Sequence, residues 1–275
     1  MPVATSPVTI GSIDDFVPLA RMLCGSKHWG RHWCFRGQGK LRSEWSLVPK
    51  VGRRDYFGLA ADFVENLADS ESPLTLQKWR KDRSGGYEWP WDMCTFTQWK
   101  RRAVAFASLP TSDWKCLALA QHHGLATRLL DWSWNPLVAL FFAVAEYEDN
   151  HGAVYARPSG RLVAEEGFSD LHEVSTYEPP PFDRRIAAQQ GVFTYHPNPL
   201  KALEPSVAYS GQHNAFNTDL VEIIVPKKIK SAVVRDLHVL GINRATLFPD
   251  LEGLSWDLNR TSRPQIWRDA ENPMN

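Results

Sequence analysis

A single α+β domain, with a mixed or antiparallel sheet flanked by helices, is what this chain leads one to expect. Three observations lead there. Segments with helical spacing and short runs with strand character are interspersed along the chain. No internal repeat is visible, and no second hydrophobic core separates from the first. The 275 residues suffice to bury roughly three quarters of the unfolded surface without disulfide or metal staples. One domain over 1–275 is therefore expected, with its core at about 28–251.

The elements follow in order. Ser12-Ile13-Asp14-Asp15 reads as a capping box opening a helix over about 12–25, with Phe16, Leu19, Ala20 and Leu23 on one face and Gly25 at its end. His32 to Arg36 reads as a short strand and Gly37-Gln38-Gly39 as a tight turn after it. Asp55–Leu67 and Asp92–Ala107 have helical spacing, separated by a loop marked by Ser84-Gly85-Gly86 and Trp89-Pro90-Trp91. A helix over about Ser112–His123 is closed by Gly124, and Leu125–Ser133 reads as a strand or tight connection. Asn135 caps the next helix, with Pro136 at its first position, where the missing N–H costs nothing. Leu137–Tyr147 is apolar nearly all round, so that helix should be buried. Gly152–Ala156 reads as a strand. The stretch 158–205, with Pro179-Pro180-Pro181, reads as an irregular loop of the length that serves function or closes as a lid. Val221–Val225 is a strand stopped by Pro226, and a helix over Lys228–Leu240 ends at Gly241.

Composition narrows the function classes. Lys+Arg and Asp+Glu balance at 31 each, so no global charge draws the chain to nucleic acid or anionic lipid. Cys24, Cys34, Cys94 and Cys116 form no Cys-x-x-Cys pair, which fits reduced thiols and a cytoplasmic setting. Met1–Ile10 has no signal-peptide pattern, and no apolar run reaches the roughly 18 residues of a membrane span. The twelve Trp are either core packing or surfaces for stacking.

Four places can carry chemistry. Arg36, between an aromatic residue and Gly37, suits phosphate or carboxylate through its guanidinium fork, or sits in an internal ion pair. Gln121-His122-His123-Gly124 through Thr127-Arg128-Leu129-Leu130-Asp131 is the densest polar group in apolar surroundings. Arg128 and Asp131 are expected there either as a buried structural pair or as the floor of a site. Cys116, His122 and His123 lack the spacing and the fourth ligand of a zinc site, so no metal is expected. Glu222 shares a strand face with Leu220 and Ile224, as a solvent-facing edge or a catalytic carboxylate. The amides of Gln189 and Gln190, before Gly191-Val192-Phe193, serve a ligand edge or the loop backbone.

Phe35-Arg36-Gly37-Gln38, the run Ala118–Ser133 with Asn135-Pro136-Leu137 and Ala139–Ala143, and Gln189-Gln190-Gly191-Val192-Phe193-Thr194 together resemble the FRG family, named for its Phe/Tyr-Arg-Gly motif. Gly241-Ile242 and Leu247–Leu251 fit its C-terminal end, so the resemblance spans roughly Trp33 to Asp250. The order of elements also resembles the Arg-Ser-Glu ADP-ribosyltransferases. That resemblance implies an ADP-ribosyltransferase-like fold, NAD as cofactor and a protein or nucleic-acid acceptor, in bacterial defence or as a toxin. It places Arg36 on the NAD diphosphate and Glu222 as the catalytic Glu, with Thr127 or Ser133 as the middle hydroxyl and Trp132 or Phe193 against the nicotinamide. Two departures stand out: no Ser-Thr-Ser occurs, and Leu220 stands where such enzymes usually have Gln or Glu.

Three functions remain open at this level. The first is an ADP-ribosyltransferase-like enzyme, with Arg36, Glu222 and His122 catalytic and Arg36, Gly37, Gln121, Thr127, Arg128, Asp131, Trp132, Ser133, Gln190 and Phe193 binding NAD. The second is a non-catalytic nucleotide- or nucleic-acid-binding module using Arg36, Arg128 and exposed Trp. The third is a metal-dependent hydrolase at His122 and His123.

Overall fold

Two ladders of strands meet at a single residue pair in this structure, a computed structural model that describes residues 7–25, 32–41, 47–53, 56, 80–81, 87–88, 91–163, 168, 171, 173–199, 201–203 and 220–262. The strands are β1 (Val8–Thr9), β2 (Trp33–Gln38), β3 (Arg80–Lys81), β4 (Tyr87–Glu88), β5 (Leu129–Ser133), β6 (Gly152–Pro158), β7 (Ser175–Tyr177), β8 (Gly191–Tyr195) and β9 (Val221–Val225). Seven of them form one sheet in the order β1-β9-β6-β2-β5-β8-β7, while β3 and β4 pair with each other. Every pairing in the large sheet is antiparallel except β1 with β9. The helices are α1 (Ile13–Gly25), α2 (Trp91–Ala103), α3 (Asp113–His122), α4 (Pro136–Val144), α5 (Arg184–Ala188), α6 (Lys230–Val239), α7 (Arg244–Leu247) and α8 (Leu251–Thr261). The expected α+β architecture is therefore present. Among the described residues no helix is long and apolar enough to cross a membrane.

The join between the ladders matters most. β2 pairs with β6 from Trp33↔Pro158 to Gln38↔Ala153. It meets β5 only at Phe35↔Ser133, while β5 pairs with β8 along its whole length. Beyond Phe35 and Ser133 the sheet opens.

Side-chain alternation sends each ladder's residues to two faces. On one face Phe35, Val154, Ala156, Val221, Ile223 and Val225 pack with α1, α4 and α6 in the largest core cluster. On the other, Cys34, Trp132, Ala153, Tyr155, Val192 and Leu220 cluster with Leu47. A third cluster joins α2 and α3 to Leu129, Phe193 and Tyr195.

The buried helix α4 begins as its sequence dictates: Asn135 Oδ1 accepts from Leu137 N at 2.9 Å, and Pro136 opens the helix. Past its C-terminus the carbonyls of Glu146 and Tyr147 accept from Lys230 Nζ at 3.1 and 3.0 Å, and Gly39 O does so at 2.7 Å. Three carbonyls around one buried ammonium satisfy its donors and set a cation where the helix dipole favours it.

Three expectations are corrected. Gly37 and Gln38 do not turn; they continue β2 against Val154 and Ala153. The glycine serves close packing, because a Cβ at Gly37 would lie 1.8 Å from Ala139 O and 2.8 Å from Ala143 N of α4. The stretch 158–205 is not one irregular loop, since it contributes β7, α5 and β8. The helix begun near Asp92 ends at Ala103 rather than Ala107, and Trp91 opens it instead of closing a loop. The helix expected over Asp55–Leu67 lies outside the described residues, Tyr56 apart, as does the Ser84-Gly85-Gly86 loop signal.

Candidate functional site

Where β2 leaves β5, the Asp131 carbonyl has lost a strand partner, and the Arg36 side chain supplies one. Arg36 Nη1 donates to Asp131 O at 2.7 Å and stands 3.7 Å from Asp131 Oδ2. The guanidinium bridges the opening of the sheet. Arg36 Nε is buried and has no hydrogen-bond partner among the described residues, which costs about 1–3 kcal/mol for a buried donor. Burial lowers the Arg36 pKa to about 10; Asp131 opposes the shift and the neighbouring charge of Arg53 adds to it.

A cavity of about 320 Å³ occupies this opening beneath α4. Arg36, Gly37, Asp131, Trp132 and Ser133 line it from the strands, Phe142 from the helix, and Gln189 and Phe248 close its far side. The Ser133 hydroxyl donates to Gln189 O at 2.7 Å and accepts from Asn135 N at 3.0 Å. That ties the cavity floor to the start of α4.

On the opposite face of the sheet, one register row runs Arg36↔Tyr155 and Tyr155↔Glu222. Tyr155 Oη donates to Glu222 Oε1 at 3.0 Å. Burial and the adjacent carboxylate push the Tyr155 phenol well above its ordinary range, so it remains a donor. Below this row lies His196, 1% exposed. Trp132 Nε1 donates to Thr194 Oγ1 at 2.9 Å, and Thr194 Oγ1 lies 3.0 Å from His196 Nε2. Thr194 Oγ1 thus joins the indole to the imidazole. The imidazole is neutral, its pKa lowered to about 3 by burial and by the charges of Arg157 and Arg36.

Asp131 is itself held. Gln121 Nε2 donates to Asp131 Oδ1 at 2.8 Å, and the Thr127 hydroxyl donates to Gln121 Oε1. A carboxylate only accepts, so the Gln121 amide orientation is forced. Gln121 and Thr127 support Asp131 and do not line the cavity.

Several expected placements are corrected. Arg128 does not pair with Asp131. Its Nε and Nη2 donate to Asp92 Oδ2 and Oδ1 at 2.8 and 2.7 Å, and its Nη1 donates to Tyr195 Oη and Pro197 O, both at 3.2 Å. Arg128 and Asp92 have side chains 3% and 2% exposed, whereas that of Asp131 is 63% exposed. The pair is structural, under the first turn of α2. Gln190 lies outside the cavity: it is exposed with φ 46°, and its carbonyl accepts from Trp134 N. The neighbouring amide, Gln189, takes the cavity position instead. Phe193 is core, packed with Tyr195 and Trp114, and the Trp132 indole is fixed by Thr194, so neither ring is presented for stacking. His122 turns to Asp183, Nε2 to Oδ1 3.5 Å, away from the cavity, and burial lowers its pKa. Its ring stands 5.2 Å from that of His123 at 87°. Among the described residues no group of three or more His, Cys, Asp or Glu is placed to hold a metal ion.

The sequence reading missed Tyr155, His196, Phe142 and Phe248. Only Tyr155 carried a signal, as a hydroxylated aromatic in an otherwise apolar strand.

Residues 31–152 match the model of the FRG domain. No curated protein and no solved structure matches the chain.

Proposed function

From the premise that this chain carries an FRG domain at residues 31–152, we propose that it is an ADP-ribosyltransferase-like enzyme that uses NAD. One observation carries the reading: Arg36, Tyr155 and Glu222 occupy one register row over β2, β6 and β9. Cation and carboxylate thereby share a face two strand spacings apart, about 10 Å. Arg36 clamps the diphosphate, for which a guanidinium with an unpartnered Nε is suited. Glu222 accepts a hydrogen bond from the nicotinamide ribose and stabilises the positive charge that develops on the anomeric carbon. The C–N bond breaks with its electron pair leaving on nicotinamide, and a nucleophile of the acceptor forms the new bond and gives up its proton. Tyr155, through its hydroxyl, holds the Glu222 carboxylate in place.

A second reading, a nucleotide-binding module without chemistry, is favoured by Leu220. It is 6% exposed, in the apolar cluster with Trp132 and Tyr155, where an acceptor-reading side chain would be needed. Incubation with labelled NAD separates the two. The enzyme reading expects nicotinamide release and label transfer, with Glu222→Gln keeping NAD affinity and losing about a hundredfold or more in turnover. Binding without turnover selects the module. Wild-type protein that does not bind NAD at millimolar concentration rules out both as NAD readings.

A further inference from the structure

The cavity beside Arg36 has a lining that a diphosphate does not need. We propose that it is a subsite for a planar nitrogen heterocycle, walled by Phe142 and Phe248 and met on its polar edge by the Gln189 amide. The proposal rests on the nucleotide reading above and assigns the ring of that nucleotide to the α4 side of the sheet.

The volume, about 320 Å³, lies at the lower end of the roughly 300–1,000 Å³ typical of small-molecule sites. The Phe142 and Phe248 rings stand 6.1 Å apart at 78° and form a corner. A flat ligand can stack on one ring and meet the edge of the other, the two arrangements aromatic pairs prefer. Two cations brace Phe248: the Arg244 guanidinium lies 3.9 Å and that of Arg185 5.4 Å from its centroid. Those cations are anchored in turn, Arg185 by Asp250 and Arg244 by Glu146 at 3.5 Å. A corner fixed in this way loses little freedom when a ring enters.

Gln189 supplies direction. Its Nε2 donates to Leu247 O at 3.0 Å, and because a carbonyl only accepts, the amide orientation is settled. Gln189 Oε1 and the second Nε2–H make no hydrogen bond within the described residues, and neither atom is a buried orphan. An adjacent donor and acceptor match the edge of an adenine, the ring of NAD that lies away from Glu222. Arg36, at the cavity's strand side, stands where the ring-bearing ligand would carry its phosphates.

The test uses full-length protein and three probes: adenosine and nicotinamide, which have rings and no phosphate, and inorganic pyrophosphate, which has the reverse. Affinities are measured by calorimetry or saturation-transfer NMR. Phe248→Leu, which keeps apolar volume and removes the π surface, and Gln189→Leu should weaken at least one ring probe about tenfold. Both should leave pyrophosphate unchanged. Arg36→Ala should weaken pyrophosphate and spare the ring probe. If Phe248→Leu lowers the melting temperature, Gln189→Leu carries the comparison alone. Failure of both ring probes to bind wild type, or equal binding to wild type and variants, overturns the subsite. Ring binding that is lost in the variants, in a protein that does not bind NAD, keeps the subsite and overturns the NAD reading.

Discussion

Asp92→Ala should be among the most damaging single changes in this protein. Asp92 and Arg128 form a two-pronged ion pair whose side chains are 2% and 3% exposed. The substitution removes two of the four hydrogen bonds that Arg128 makes, those at 2.8 and 2.7 Å, and leaves Tyr195 Oη and Pro197 O. Two charge-assisted bonds at about 1.5–3 kcal/mol each give roughly 3–6 kcal/mol. Stranding a buried charge by deleting its partner typically costs about 3–5 kcal/mol. The two routes agree near 4 kcal/mol, which lowers the melting temperature of a chain this size by roughly 10 °C. Asp131→Ala is the control: its side chain is 63% exposed and 3.7 Å from Arg36, so solvent limits its effect to about 1 kcal/mol or less. Urea denaturation of both variants decides the matter. A loss under about 1 kcal/mol for Asp92→Ala, or an equal loss for Asp131→Ala, would refute the assignment of the buried partner.

Gly37→Ala should destabilise by about 3 kcal/mol or prevent folding, because its Cβ would sit 1.8 Å from a backbone oxygen of α4; a wild-type melting curve would contradict the close packing. His196 has a folded pKa of about 3 against 6.5 unfolded, so the unfolded chain binds a proton that the fold refuses. The stability this contributes is fully present above pH 6.5 and is lost as pH falls toward 3. Between pH 7 and 5, before most carboxylates titrate, the loss is about 2 kcal/mol. His196→Gln should flatten that limb of stability against pH, and an unchanged slope would show that the imidazole protonates freely.

What could be read in the sequence was what is decided locally. The start of α4 was legible because Asn135 and Pro136 satisfy a rule that involves only their neighbours, and the chain obeys it with Asn135 Oδ1 on Leu137 N. The ends of α3 and α6 were legible in Gly124 and Gly241, with φ of 90° and 77°. The partner of Arg128 was not, because Asp131 is three residues away and Asp92 is 36. Proximity in sequence misled, since alternation along β5 turns Asp131 toward Gln121. Gly37 carried two meanings, turn and close approach, and only the packing of α4 selects the second. β7 was hidden by its length of three residues and by the prolines that follow it. In the site, Arg36 and the Asp131–Ser133 run were found as polar residues in apolar sequence. Phe142 and Phe248 were not, because an aromatic that walls a cavity has the same local pattern as one that fills a core.

The most direct measurement is a calorimetric titration of ADP-ribose into wild type and Arg36→Lys. The lysine keeps the charge and removes the fork, whose Nη1 and Nε positions define the site. Wild type should bind, and the variant, shown to be folded by its circular dichroism spectrum, should bind about 10- to 100-fold more weakly, the worth of one charge-assisted hydrogen bond. Equal affinities in the two proteins, or no binding to wild type, would contradict a diphosphate site at Arg36.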